Sequence, residues 1–275
     1  MTLRFAHSPC PNDTFLFHAW THGLVDGPEV AVDFADIDVT NDPERRDDAW
    51  DVMKVSYGNL PRLGSEWRLL PAGGALGHDC GPLLLRRGDD AAATGGRLAV
   101  PSLYSTAYAL QNMWASEVGH RWDSVTVVGF DEIMPRLAAG EFDAGLVIHE
   151  ARFTYHRWDL AKVLDLGEWW ESNTGVPIPL GAIVMRRSLD HRPVVKAIRR
   201  SLEYARAHPD ASADYIARHA QEMDAEVCRQ HIALYVNDFS HDLGRSGRVA
   251  VRRLLATMDA EESDIERLNA DLEES

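Results

Sequence analysis

A histidine that closes a run of apolar residues is the most suggestive chemical feature of this chain. His149 follows Ala144-Gly145-Leu146-Val147-Ile148, which places it at the carboxyl end of a buried strand. An imidazole titrates near neutrality and suits a general base. The alternative is a histidine that merely packs at a strand end. Glu150 stands beside it, either to orient the ring or to face solvent. Ser105 and Thr106 occupy a strand–proline–loop–helix pattern just before Ala107. Their hydroxyls and the first free helical amides can hold a carboxylate or another anion, although an ordinary N-cap explains one of the two. Asn12, Asp13 and Thr14 follow Pro9 and Pro11, whose rings stiffen the backbone. They offer three polar groups to a ligand, or Asn12 or Asp13 caps the next helix.

Lys54 is one of three lysines, with Lys162 and Lys196, among 28 basic residues. It stands on an alternating strand and shares a face with Ser56. It meets either a substrate carboxylate or a neighbouring acid. Phe153, Tyr155, Trp158, Trp169 and Trp170 are dense enough to stack a planar ring, but aromatics pack cores just as readily. His7, His18, His22, His156, His231 and His241 fit no metal-ligand spacing, so no metal site is expected. The chain has no G-x-G-x-x-G, no G-x-S-x-G and no paired Cys/His arrangement. The glycine-rich segment 72–77 lacks the Gly-Lys-Ser/Thr ending of a phosphate loop. No cofactor is expected.

These residues need a scaffold, and the patterning supplies an α/β one. Strands are predicted at 3–6, 29–34, 51–56, 81–86, 97–100, 125–128, 142–148 and 181–186. Helices are predicted from Asn12 or Asp13, at 107–118 and 130–139, from Pro193, at 211–220 and 225–237, and in the acidic tail 249–272. A polar turn separates the fourth and fifth strands, and the acids of 33–48 read mostly as solvated surface. The order implies two α/β lobes with a cleft between them. Residues 1–95 and 180–275 form a larger discontinuous lobe, and 96–179 form a smaller inserted one. Ligands in such folds bind beyond the carboxyl ends of strands, where 8–14, 54–57, 104–107 and 149–150 all fall.

Composition sets the outer bounds. The chain has 275 residues, enough for one large domain or two modest ones. With 28 basic and 43 acidic residues, its net charge of −15 argues against duplex nucleic acid as a partner. A small anionic substrate remains compatible with that charge, because a site can be locally positive. Three distant cysteines, Cys10, Cys80 and Cys228, argue against a disulfide framework. No export signal and no membrane span are recognised, so a cytoplasmic monomer or homodimer acting on a small molecule is expected.

The string Ser8-Pro9-Cys10-Pro11-Asn12-Asp13-Thr14-Phe15 resembles one found in the dihydroxynaphthoate synthases of the futalosine route to menaquinone. The resemblance extends through Lys54-Val55-Ser56-Tyr57, Ser105-Thr106-Ala107-Tyr108 and His149-Glu150-Ala151-Arg152-Phe153-Thr154-Tyr155. Gly167-Glu168-Trp169-Trp170, Pro177-Ile178-Pro179-Leu180-Gly181 and Tyr235-Val236-Asn237 continue it along nearly the whole chain. It implies a two-lobed, periplasmic-binding-protein-like fold of type II with an interlobe cleft. It implies a lyase that converts cyclic dehypoxanthine futalosine to 1,4-dihydroxy-6-naphthoate and dihydroxyacetone. It also implies His149 as proton acceptor, with small-ligand contacts at Lys54, Val55, Ser56, Thr106 and Ala107. The rival expectations are a chorismate dehydratase of the same pathway and a non-catalytic solute-binding protein. The motifs around Ser8 and His149 favour the synthase.

Overall fold

The computed structural model describes residues 1–88, 95–220, 224–258 and 260–273. In chain order its elements begin β1 (Leu3–His7), α1 (Pro11–Thr21), β2 (Val30–Phe34), α2 (Ile37–Asn41) and β3 (Val52–Ser56). A 3-10 segment, Tyr57–Arg62, leads to β4 (Trp67–Leu69), β5 (Ala75–Gly77) and β6 (Leu83–Arg87). Next come β7 (Arg97–Val100), α3 (Thr106–Glu117), β8 (Ser124–Val127), α4 (Phe130–Ala138) and β9 (Ala144–Val147). Then follow α5 (Ala151–Thr154), β10 (Leu160–Asp165), α6 (Leu166–Thr174) and β11 (Ile178–Arg186). The chain closes with helices α7 (Arg192–Ala207), α8 (Ala213–His219), α9 (Ala225–Tyr235), α10 (Asp238–His241), α11 (Gly244–Leu255) and α12 (Glu262–Glu273).

The strands form two sheets, one for each lobe. The first runs β2-β1-β3-β11-β4, with β5 also paired to β11. The second runs β10-β6-β9-β7-β8. Each mixes parallel neighbours, such as β1 with β3 and β7 with β9, and antiparallel ones, such as β3 with β11 and β6 with β9. The returning strand β11 is therefore wedged into the first sheet and holds the discontinuous lobe together. One strand departs from the expected division. Leu83–Arg87 pairs with β9 and β10 in the second sheet, not with the strands of residues 1–80. Its continuous apolar run, Leu83-Leu84-Leu85, is buried on both faces and fits either sheet, so the sequence alone leaves its membership open.

The core follows from the same periodicities. On α7, Val194, Ile198, Leu202 and Ala205 present one face to the first sheet, against Phe17 and Trp20 of α1. The two helices are pinned where the Ser201 hydroxyl donates to the Leu16 carbonyl and accepts from the Trp20 amide. Residues 11–20 of α1 are all buried, because α7, α8 and α9 close around it. A second cluster spans both sheets, bringing Met53, Val55 and Val184 together with Leu84, Leu98 and Leu146. A third lies under α4, where Ile133 and Leu137 meet Leu85, Ala99 and Val147. The predicted tail helix is two helices, α11 and α12. Strands β4, β5 and β10 and helix α6 were not expected. The first two are three residues long, too short to show a period. The polar turn expected between β6 and β7 lies largely outside the described residues. Among the described residues, no helix is long and apolar enough to cross a membrane.

Candidate functional site

Five chain segments converge between the sheets. The amino end of α1 follows β1, the carboxyl end of β3 lies beside it, and β11 packs against β3. From the second sheet come the amino end of α3, after β7, and the residues after β9. Together they line a partly open cavity. Asn12, Asp13, Lys54, Ser56, Ser105, Thr106, Ala107 and His149 all line it. Val55 does not. Strand alternation turns its side chain to the opposite face, where it is wholly buried in the shared core. Among the five aromatics singled out from the sequence, Trp170 is buried with its indole donating to the Pro177 carbonyl, and none lines the cavity.

The α1 wall is a chain of paired polar groups. Cys10 is the N-cap, Pro11 opens the helix, and neither Asn12 nor Asp13 caps it. Instead the Lys54 ammonium forms a buried ion pair with Asp13, whose carboxylate also accepts from the Asn12 amide. The Asn12 carbonyl oxygen lies 3.1 Å from His231 Nε2. Lys54 therefore has a neighbouring acid, and its charge is compensated inside the wall. Ser56 is anchored through Asn41, whose side chain donates to the serine hydroxyl and accepts from its amide. Ser8 donates to Asp36 at 2.7 Å, drawing one acid of the 33–48 cluster to the cavity edge.

The opposite wall is built from backbone. Ser105 caps α3, its hydroxyl accepting from the Tyr108 amide. Thr106 donates to the Leu180 carbonyl and accepts from the Gly58 amide, so its hydroxyl joins the two lobes. Gly58 has to be glycine here: an added Cβ would sit 2.8 Å from the Thr106 Cα. The amides of Thr106 and Ala107, in the first turn of α3, are left as anion donors at the cavity wall.

His149 adopts a left-handed backbone, φ +58°, two residues past the end of β9. This is uncommon for a residue with a Cβ and marks a position held by its surroundings. The turn swings the ring toward Cys10, with Nδ1 and Sγ 3.0 Å apart, and against Phe130. Burial, aided by the Lys54 charge, pushes the imidazole down to about 4. Burial likewise drives the His231 ring well below its ordinary value, and the Cys10 thiol well above its own, the latter aided by Glu150 and Asp36. Across the neutral range both rings are uncharged and Cys10 is a thiol.

Cys10, His231 and Tyr235 are neighbours that residue spacing alone did not single out. His231 and Tyr235 stack on α9 with ring centroids 4.7 Å apart, and both line the cavity. Cys10 and His149 are 139 residues apart, so no local motif joins them. Their presence in the quoted strings was the available signal.

Comparison with known proteins was made on this geometry. The sequence profile of the menaquinone biosynthesis family matches residues 3–260. A 1,4-dihydroxy-6-naphthoate synthase of Streptomyces coelicolor is 52% identical over 265 residues, 94% of each chain. Its namesake in Thermus thermophilus is 44% identical over 262 residues, again 94% of each chain. A crystal structure of an Archaeoglobus fulgidus protein superposes with a TM-score of 0.83 and 30% identity, covering 93% of this chain and 96% of that one. The periplasmic aliphatic sulphonate binding protein of Escherichia coli gives a TM-score of 0.67 at 11% identity, over 97% of this chain and 91% of its own. The fold is periplasmic-binding-protein-like.

Proposed function

The chain belongs to the menaquinone biosynthesis family, and on that premise we propose that it is a cytoplasmic carbon–carbon lyase. It converts cyclic dehypoxanthine futalosine into 1,4-dihydroxy-6-naphthoate and dihydroxyacetone. The observation that carries this reading is His149, an imidazole kept unprotonated, fixed in a left-handed turn and set in the wall of the interlobe cavity. The names of the two curated relatives support the product.

His149 takes a proton from a carbon acid of the substrate. Nδ1 is engaged by Cys10, so Nε2 is the accepting nitrogen. That requires the tautomer in which Nδ1–H donates to Sγ. An imidazole with a depressed pKa is in its base form across the neutral range, and its conjugate acid gives the proton back readily to a leaving group. Negative charge that develops on oxygen meets the first-turn amides of α3 and the Ser56 hydroxyl. Formation of the aromatic product supplies the driving force, and atoms and electrons balance without a redox partner. The Thr106 bridge already joins the lobes at one edge. Closure about that edge excludes water before proton transfer.

The test is a chromatographic assay of purified protein with cyclic dehypoxanthine futalosine. Formation of 1,4-dihydroxy-6-naphthoate supports the reading. A folded protein that leaves this substrate untouched, yet dehydrates chorismate or only binds ligands, overturns it.

A further inference from the structure

Four metal-ligating side chains that the proposed chemistry uses only in part gather around Cys10, and two of them, His149 and His231, line the cavity. Cys10, His149 and Glu150 each place a ligand atom within 4.8 Å of the other two. His231 Nδ1 stands 3.6 Å from a Glu150 carboxylate oxygen. The orientation of that ring is fixed. The Asn12 amide donates to Asp13, which turns its carbonyl oxygen toward His231 and makes Nε2–H the donor. The neutral ring therefore carries its lone pair on Nδ1, which makes no hydrogen bond among the described residues and is aimed at a carboxylate. Two electron-rich atoms facing each other in a buried wall call for a cation between them.

We propose that Cys10, His149, Glu150 and His231 form an inhibitory site for a borderline-soft divalent cation of the zinc type. A thiolate, two imidazoles and a carboxylate are the donor types zinc selects over magnesium or calcium. Tetrahedral zinc holds its sulfur and nitrogen ligands about 3.5 Å apart, so Sγ and Nδ1 need to separate by about half an ångström. On binding, the thiol gives its proton to solvent and the sulfur–metal bond replaces the sulfur–hydrogen bond. Metal on Nδ1 of His149 confines the remaining ring proton to Nε2. The ring then has no lone pair to accept a proton from substrate, and turnover stops. The inhibition rests on His149 as base, whereas the binding does not.

Titration with Co2+ and Zn2+ tests the two halves separately. The metal-free protein is expected to take one Co2+ with a thiolate-to-cobalt charge-transfer band, and Zn2+ is expected to bleach that band by displacement. Outer ligand partners alone change metal affinity by about 10–100-fold, so Cys10→Ser should abolish the band and weaken Zn2+ binding by at least about tenfold. Glu150→Gln should weaken binding comparably while keeping the band, and Cys228→Ser, in the core cluster around α1 and α7 and outside the cavity lining, should bind like the wild type. No charge-transfer band in the wild type, or equal affinity in a folded Cys10→Ser, overturns the site, and a proton shared by His231 and Glu150 then accounts for the geometry. Stoichiometric Zn2+ should also stop naphthoate formation, with recovery on chelation. Full turnover with the band present overturns the inhibitory role. Failure of metal-free protein to turn over the substrate at all instead contradicts the proposed reaction.

Discussion

The two walls of the cleft are organised by different means. On the α1 wall, polar side chains satisfy one another. Lys54 pairs with Asp13, Asp13 with Asn12, and Asn12 with His231. On the α3 wall the fixed elements are backbone: the first turn of a helix and the left-handed turn that carries His149. The first arrangement spends its charges internally and provides a rigid, locally neutral surface. The second leaves donors and a lone pair facing the cavity. In the proposed mechanism the side chains that look most catalytic by type, Lys54 and Asp13, are thus the more structural half. The proposed base and anion donors lie where backbone geometry presents them.

That contrast can be broken most sharply at His149. His149→Ala should fold normally, as judged by an unchanged thermal transition to within a few degrees. It should lose about 10²–10⁴-fold in kcat, the span typical of a positioned general base. On the other wall, Asp13→Ala leaves the Lys54 ammonium buried and uncompensated. It should destabilise the fold by about 3–5 kcal/mol in urea unfolding. A loss of activity at unchanged stability would place Asp13 among the reacting groups instead.

The walls communicate through the Lys54 charge, which helps lower His149. The free enzyme's kcat/KM should hold constant as pH falls through 6.5 and decline only toward about 4, where the ring protonates. The sign for stability is the same. The folded ring resists protonation and the unfolded one does not, so stability falls as pH drops from 6.5 toward 4. Lys54→Met removes a charge that lowers His149 and leaves Asp13, which raises it. Its acid limb should therefore move to higher pH, and an unmoved limb would separate the walls electrostatically.

Two smaller effects sharpen the lobe contact. Thr106→Val strips the hydroxyl from between Gly58 and Leu180. It should cost about 1–3 kcal/mol through the unpaired amide and carbonyl, read by denaturant unfolding. Ser105→Ala removes only a cap and should cost about 1 kcal/mol with little change in KM.

How much of this was legible in the sequence depended on how far apart the interacting residues lie. The apolar run into His149 and the strand–proline–helix pattern at Ser105 are local, and both led directly to cavity residues. The face shared by Lys54 and Ser56 followed from strand alternation, and the same alternation removes Val55 from the cavity. For Asn12 and Asp13 the sequence leaves ligand contact and capping both open, because a polar pair before an apolar helix usually caps it; both line the cavity and neither is the cap. Their partners, Lys54 and His231, arrive from β3 and α9 and are invisible to a local pattern. The Cys10 contact with His149 is hidden for the same reason, as is the sheet membership of β6. Long-range pairing decided each of these.

The central claim is that an unprotonated His149 removes the proton in the interlobe cleft. Its most direct test is naphthoate formation from cyclic dehypoxanthine futalosine, measured side by side for the wild-type chain and His149→Ala. The account predicts product from the first and a loss of at least about a hundredfold in the second, with both folded. Equal product from the two would contradict it and return His149 to the role of a packed strand-end residue.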